Sequence, residues 1–236
     1  MKIQVYKDKS VLAEHFSAYL ERFIAGRRVV HLALSGGSTP KIIFETLSIP
    51  GKYKIDWNKV HLYWGDERCV PPTDDESNYK MTREYLLSGI DIPEANIHRI
   101  LGEAKPELEA IRYSNVLNEQ LPKTAGIPVF DLILLGMGED GHTASIFPHE
   151  IALWDAEDFC EVANHPVSGQ KRITLTGKII NNAKVVAFLV TGIGKKDKVT
   201  EIINHQGNFS SYPASLVAPV SGSLLWFLDE AAASGL

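Results

Sequence analysis

The chain has 236 residues, 44% apolar and 22% charged, with a net charge of −5. This excludes a disordered chain and leaves no basic surface for a nucleic acid, so an anion site has to be local. Two cysteines far apart exclude a disulfide framework, and no signal peptide or membrane-spanning apolar run is present, so a cytoplasmic protein with no membrane partner is expected.

The first predicted element is a helix over Ser10–Ala25, "SVLAEHFSAYLERFIA", with Val11, Leu12, Phe16, Tyr19, Leu20, Phe23 and Ile24 on one stripe. Ser10 suits its N-cap and Gly26 its stop. "VVHLAL", Val29 to Leu34, is a β-branched strand run that ends at "SGGSTP", where Pro40 fits the first turn of a new helix. "KVHLYWGDE" is the next strand candidate, followed by the proline-rich loop "CVPPTDDES" and a helix from about Ser77 to Leu87. Ile111 to Leu121 reads as helix. "VFDLILLG" is apolar on both faces and reads as a fully buried strand. "ITLT" and "KVVAFLVTG" are further strands, the second leading into a helix over Lys195–Asn204; "SLLWFLDEAA" fits a last strand or a short helix. Alternation of this kind predicts an α/β fold: a single domain over residues 1–236 with a mostly parallel, Rossmann-like doubly wound sheet and helices on both faces.

Open parallel sheets bind ligands outside the carboxyl ends of their strands. Four polar or glycine-rich loops follow predicted strands here: "SGGSTP", "GDER", "GMGEDGHTAS" and "TGIGKK". In the first, Ser35, Gly36, Gly37, Ser38 and Thr39 combine backbone donors, hydroxyls and a helix start, which suits an anion or a plain capped turn. Arg68 lies beside two carboxylates, either as a surface ion pair or as a cation reaching the pocket. Lys195 follows a strand and Arg172 opens another; with the first loop they suggest a sugar phosphate.

The third loop contains Gly136-x-Gly138-x-x-Gly141, the spacing of a dinucleotide fingerprint. Such a motif requires a long helix after it and an acidic residue at the end of the next strand. Pro148 arrives only seven residues after Gly141, and Asp155, Glu157 and Asp158 precede the run "FCEVA" instead of ending it. The glycines are better explained as permission for a tight loop that presents Asp140 and His142. His142 has the acid–base range for catalysis near neutrality, and Asp140 is placed to orient its ring. His15, His31, His61, His98, His149, His165 and His205 have no comparable setting and are expected to be structural or superficial. No metal-binding histidine pair and no Gly-x-Ser-x-Gly elbow is present.

"LSGGSTP", "WGDERCVPP", "DESNY", "DLILLGMGEDGHTASIFP" and "TGIGKK" occur in this order in the 6-phosphogluconolactonases, which share a superfamily with the glucosamine-6-phosphate deaminases. The chain resembles the lactonases from about Leu34 to Lys195. The resemblance implies a cofactor-free enzyme that hydrolyses 6-phospho-D-glucono-1,5-lactone, a small sugar-phosphate lactone, in the oxidative pentose phosphate pathway. A monomer or small homo-oligomer is expected. Deaminases carry Asp-Glu-Tyr where this chain has Asp66-Glu67-Arg68, and an Asn-Glu-Pro segment where it has Ile146-Phe147-Pro148. The ring-opening acid of the deaminases is therefore missing. The expected roles are His142 as general base for water and Asp140 as its orienter. Ser38 and Thr39, with Arg172 and Lys195, are expected to hold the phosphate, and the Gly36–Gly37 N–H groups or Arg68 the oxyanion. An amino-sugar-phosphate deaminase and a non-catalytic sugar-phosphate sensor are the alternatives.

Overall fold

Burial selects the strands. All four residues of Leu132–Leu135 are buried, as are four of five in Val30–Leu34 and in Val60–Trp64, so these segments are covered on both faces. The computed structural model describes residues 1–236. In chain order, β1 (Lys2–Tyr6) and α1 (Lys9–Ala25) precede β2 (Val30–Leu34), α2 (Ser38–Leu47), β3 (Val60–Trp64) and β4 (Asp66–Arg68). Next come α3 (Asn78–Tyr85), β5 (Ile97–His98), α4 (Pro106–Gln120), β6 (Lys123–Thr124), β7 (Ile127–Pro128) and β8 (Leu132–Leu135). The rest is β9 (Cys160–Asn164), β10 (Lys171–Leu175), α5 (Gly177–Ile180), β11 (Val185–Val190), α6 (Lys196–Ile203), β12 (Ser223–Asp229) and α7 (Glu230–Ala233).

Seven strands form the central sheet in the order β1-β12-β11-β8-β2-β3-β5, and every neighbouring pair is parallel. From β2 the chain winds outward through β3 to β5, and from β8 it winds the other way through β11 to β12. The direction reverses between β2 and β8, which is where an open α/β sheet leaves a crevice at its carboxyl edge. Helices flank the sheet, α1 packing on α2 and against β12. The α/β fold with a mostly parallel, doubly wound sheet agrees with the sequence reading.

Local differences have physical causes. The N-cap of α1 is Asp8, whose carboxylate accepts from the Ser10 and Val11 N–H groups, and not Ser10. β1 was not anticipated; it is a partly buried edge strand with no clear alternation. "KVHLYWGDE" is not one strand. Gly65 donates its N–H to Leu34 O at 2.8 Å and accepts from Leu175 N–H at 2.8 Å, so it closes the central sheet and redirects the chain. Asp66–Arg68 then joins a separate antiparallel sheet, β4-β10-β9. "SLLWFLDEAA" is both predicted alternatives in succession, a strand and then a short helix.

Candidate active site

The loops after β2, β8 and β11 meet β4, β10 and the start of α3 around a cavity of about 200 Å³. Its walls are Ser35, Gly36 and Gly37 after β2; Gly136, Met137, Gly138, His142 and Ala144 after β8; Lys195 after β11; and Asp66, Arg68, Arg172 and Asn78. The reversal point of the sheet and the cavity coincide, as the crevice rule requires.

The loop after β8 is built to hold one imidazole. Gly138 N–H donates to His142 O at 2.9 Å, Gly141 N–H donates to Gly138 O at 3.1 Å, and the Thr143 hydroxyl donates to Gly136 O at 2.9 Å. His142 Nδ1 lies 2.6 Å from Asp140 Oδ1, which also accepts the His142 backbone N–H at 3.1 Å. A carboxylate only accepts, so it fixes the proton on Nδ1 and leaves Nε2, which has no protein partner, as a base. Burial alone would raise the Asp140 carboxyl, but the hydrogen bond and charge of His142 outweigh it and bring the group down to about 2. Gly138 is glycine for a contact reason: a Cβ there would stand 2.2 Å from His142 Nδ1 and 2.4 Å from Asp140 Oδ1. Gly141 has φ +85° and lies against the Tyr212 ring. Buried Phe147 packs on the His142 ring at 4.6 Å between centroids.

Three cations face the same space. Arg68 and Arg172 are direct cross-strand partners in the β4–β10 pair, where like charges repel. Arg68 donates to the Glu76 carbonyl, Arg172 lies 5.5 Å from the centroid of the Phe147 ring, and the Nε of each is buried without a partner. Burial and then the charge of Arg68 lower the Arg172 pKa; burial lowers that of Lys195, against the opposing pull of Glu139 and Asp140. None of the three forms an ion pair within the protein. A cluster of desolvated, repelling cations at a cavity wall is chemically suited to an anion. The N–H groups of Gly36 and Gly37 also lack protein acceptors.

Beneath these groups lies a buried polar scaffold. The Glu67 carboxylate accepts the N–H groups of Arg68 (2.8 Å), Asn78 (2.7 Å) and Tyr79 (2.8 Å) and the Ser77 hydroxyl (3.0 Å), so it fastens the start of α3 to β4. Burial raises its pKa, partly offset by those backbone donors. Glu67 is thus a scaffold residue. Asn78 donates to Asp66 O at 2.9 Å and fills the space above Gly36, where a Cβ would come within 1.8 Å of its Oδ1. The Ser145 hydroxyl donates to Asp66 Oδ2 at 2.6 Å, and Ser145 N–H donates to Thr174 Oγ1 at 3.1 Å, which ties the His142 loop to the small sheet.

Of the residues singled out from sequence, Ser35, Gly36, Gly37, Arg68, His142, Arg172 and Lys195 line the cavity. Asp140 stands behind His142. Ser38 is exposed in the first turn of α2, and the Thr39 hydroxyl is engaged with Thr191 Oγ1 at 2.7 Å, so neither is in the cavity wall. Gly136 and Gly138, read as loop glycines, line it too, and Asp66, Asn78, Met137 and Ala144 line it without a role read from the sequence. For Asp66 the only sequence signal was its position in "GDER", where a carboxylate beside an arginine reads as an ion pair. No group of three or more His, Cys, Asp or Glu side chains is placed to hold a metal ion, and no helix is long and apolar enough to cross a membrane.

Residues 9–226 match the family model of glucosamine-6-phosphate isomerases/6-phosphogluconolactonase. The chain is 44% identical over 202 residues to the 6-phosphogluconolactonase of Treponema pallidum, spanning 86% of this chain and 84% of that one. It is 40% identical over 241 residues to the 6-phosphogluconolactonase of a Synechocystis species, covering 100% of this chain and 98% of the relative. Among solved structures, that of the devB protein superposes with a TM-score of 0.94 at 39% identity, covering 100% of this chain and 99% of its own.

Proposed function

The chain belongs to the glucosamine-6-phosphate isomerase/6-phosphogluconolactonase family, and on that premise we infer that it is a 6-phosphogluconolactonase, an enzyme that hydrolyses 6-phosphogluconolactone to 6-phosphogluconate. The observation that carries the reading is one cavity that holds both an imidazole with a free Nε2 and three cations without ion-pair partners. Lactone hydrolysis needs an activated water and a place for the transient oxyanion; a phosphate needs fixed positive charge.

In the proposed mechanism, Arg68, Arg172 and Lys195 hold the phosphate, and that binding positions the ring. Neutral His142 accepts a proton at Nε2 from a water that attacks the lactone carbonyl, while Asp140 holds the Nδ1 proton in place. The tetrahedral oxyanion is stabilised by the free N–H groups of Gly36 and Gly37. Collapse breaks the bond to the ring oxygen, which takes the proton from the His142 imidazolium and becomes the hydroxyl of the open-chain acid. We assign Ser38 and Thr39 a supporting part: they form the first turn of α2 directly after Gly37, and the Thr39 hydroxyl bonded to Thr191 anchors that turn and the backbone before it. Residues 1–236 act as one unit in this scheme, as a monomer or small homo-oligomer. Both cysteines are free thiols, which supports a reducing, cytoplasmic setting.

The test is to follow freshly generated 6-phosphogluconolactone by its disappearance, in parallel with ammonia release from glucosamine 6-phosphate. Lactone loss well above the spontaneous rate, without ammonia, is expected. Ammonia release with no lactonase activity would overturn the reading in favour of a deaminase.

A further inference from the structure

Asp66 is the sole carboxylate in the cavity wall, where Arg68, Arg172 and Lys195 supply the positive charge. It is only 6% exposed, yet it forms no ion pair. A carboxylate offers about four acceptor positions. Here Oδ2 takes one short bond from the Ser145 hydroxyl, at 2.6 Å. Oδ1 has only a contact of 3.4 Å from Asn78 Nδ2, whose better bond, at 2.9 Å, goes to the Asp66 carbonyl instead. A carboxylate this buried and this short of donors has room to accept one from whatever fills the cavity. The cations cannot serve the reaction by bonding to it, since a phosphate takes them. The remaining donors on a sugar lactone are its ring hydroxyls.

We propose that Asp66 accepts a hydrogen bond from a ring hydroxyl of the lactone and is a specificity-determining residue of this enzyme. The proposal rests on the lactonase reading above and adds to it the feature by which the site separates a polyhydroxylated lactone phosphate from a deoxygenated one. Ser145 and Asn78 hold the carboxylate in orientation, and the Thr174–Ser145 bond links that orientation to the His142 loop. Charge repulsion also makes Asp66 the wall least suited to the phosphate, so it sets which way round the substrate enters.

The experiment measures kcat/KM of the wild-type enzyme on 6-phosphogluconolactone and on its 2-, 3- and 4-deoxy analogues, then repeats the series with Asp66→Asn. One deoxy analogue should lose roughly 10- to 150-fold in the wild type, the range for a hydrogen bond to a charged group. In Asp66→Asn that particular discrimination should collapse while the other two positions keep theirs. Wild-type enzyme that treats all three analogues like the parent would overturn the proposal without any variant. A variant that is slower on every lactone alike, with selectivity intact, would overturn it too, and would leave Asp66 as scaffold. Absence of turnover of the parent lactone itself would instead sink the lactonase reading beneath it.

Discussion

Two groups of histidines occupy opposite ends of the same sheet and do opposite things. At the carboxyl edge, His142 sits in a glycine loop, paired through Nδ1 with a carboxylate and open at Nε2. Near the amino ends of β2 and β3, and on the short edge strand β5, His31, His61 and His98 form a row across adjacent strands. His31 and His61 are register partners with ring centroids 5.2 Å apart; His61 stacks on His98 at 5.4 Å, and His61 Nδ1 lies 3.1 Å from His98 Nε2. Tyr63 stacks on His98 at 4.5 Å and its hydroxyl lies 3.2 Å from His31 Nδ1. Burial lowers the pKa of all three, and with the charges of His61 and His31 it takes His98 down to about 4. Burial is the main force that holds the row neutral, with the neighbouring rings adding to it at His31 and His98, whereas the carboxylate paired with His142 can support a proton gained during a reaction. The surroundings decide the role, not the residue type.

Swapping out the reacting ring tests that contrast most severely. His142→Ala should cost on the order of 10²–10⁴ in kcat on the lactone; a loss under about tenfold would put water activation on another group. Next in size, Lys195→Ala should raise KM roughly 10- to 100-fold and leave kcat largely intact, since it removes a contact to the phosphate and not to the reacting carbonyl. A fall in kcat at unchanged KM would contradict that assignment. The mildest test concerns the neutral row. Its imidazoles titrate below their unfolded value, so the unfolded chain binds protons that the folded one refuses as pH falls from about 6.5. The row's contribution to stability should therefore drop between about pH 6.5 and pH 4, where its most depressed member titrates. His98→Phe, which keeps the stack on Tyr63, should flatten that decline by about 1 kcal/mol, allowing for solvent screening of a half-exposed ring. Urea titrations at pH 7 and pH 4.5 measure it, and an unchanged pH dependence in the variant would show that the row is not the source.

Periodicity made the central strands legible because they are buried on both faces, and glycine loops after them located the crevice. Where the pattern failed, a polar side chain had turned inward. The sequence predicts a helix from Ile111, yet α4 starts at Pro106. Its first turn hides Glu109, which is 1% exposed and held by Arg112 Nε at 2.6 Å and the Leu101 N–H at 2.7 Å, so an acidic residue occupies an apolar slot. Asp66, Glu67 and Asn78 were opaque for a related reason. Their meaning comes from β4 leaving the central sheet at Gly65 and meeting β10, a pairing across more than a hundred residues that no local spacing encodes. Ser38 and Thr39 show the converse: hydroxyl residues in an anion-binding sequence whose side chains lie outside the cavity wall, while the backbone before them lines it.

The outermost pairing of the sheet has a consequence for assembly. β1 is bonded along its length to β12 alone, Lys2 opposite Leu225 and Tyr6 opposite Asp229, so the first strand of this sheet in chain order rests on the last. During translation that strand waits unpaired until some two hundred residues more have left the ribosome. Closing the seven-stranded sheet at this rim brings together segments far apart in sequence, a contact with a large loop-closure entropy cost. Its own sequence suits the wait: Lys2 opens the strand and Lys7 follows it, a charged border that discourages a nascent chain from pairing with its neighbours on the same messenger.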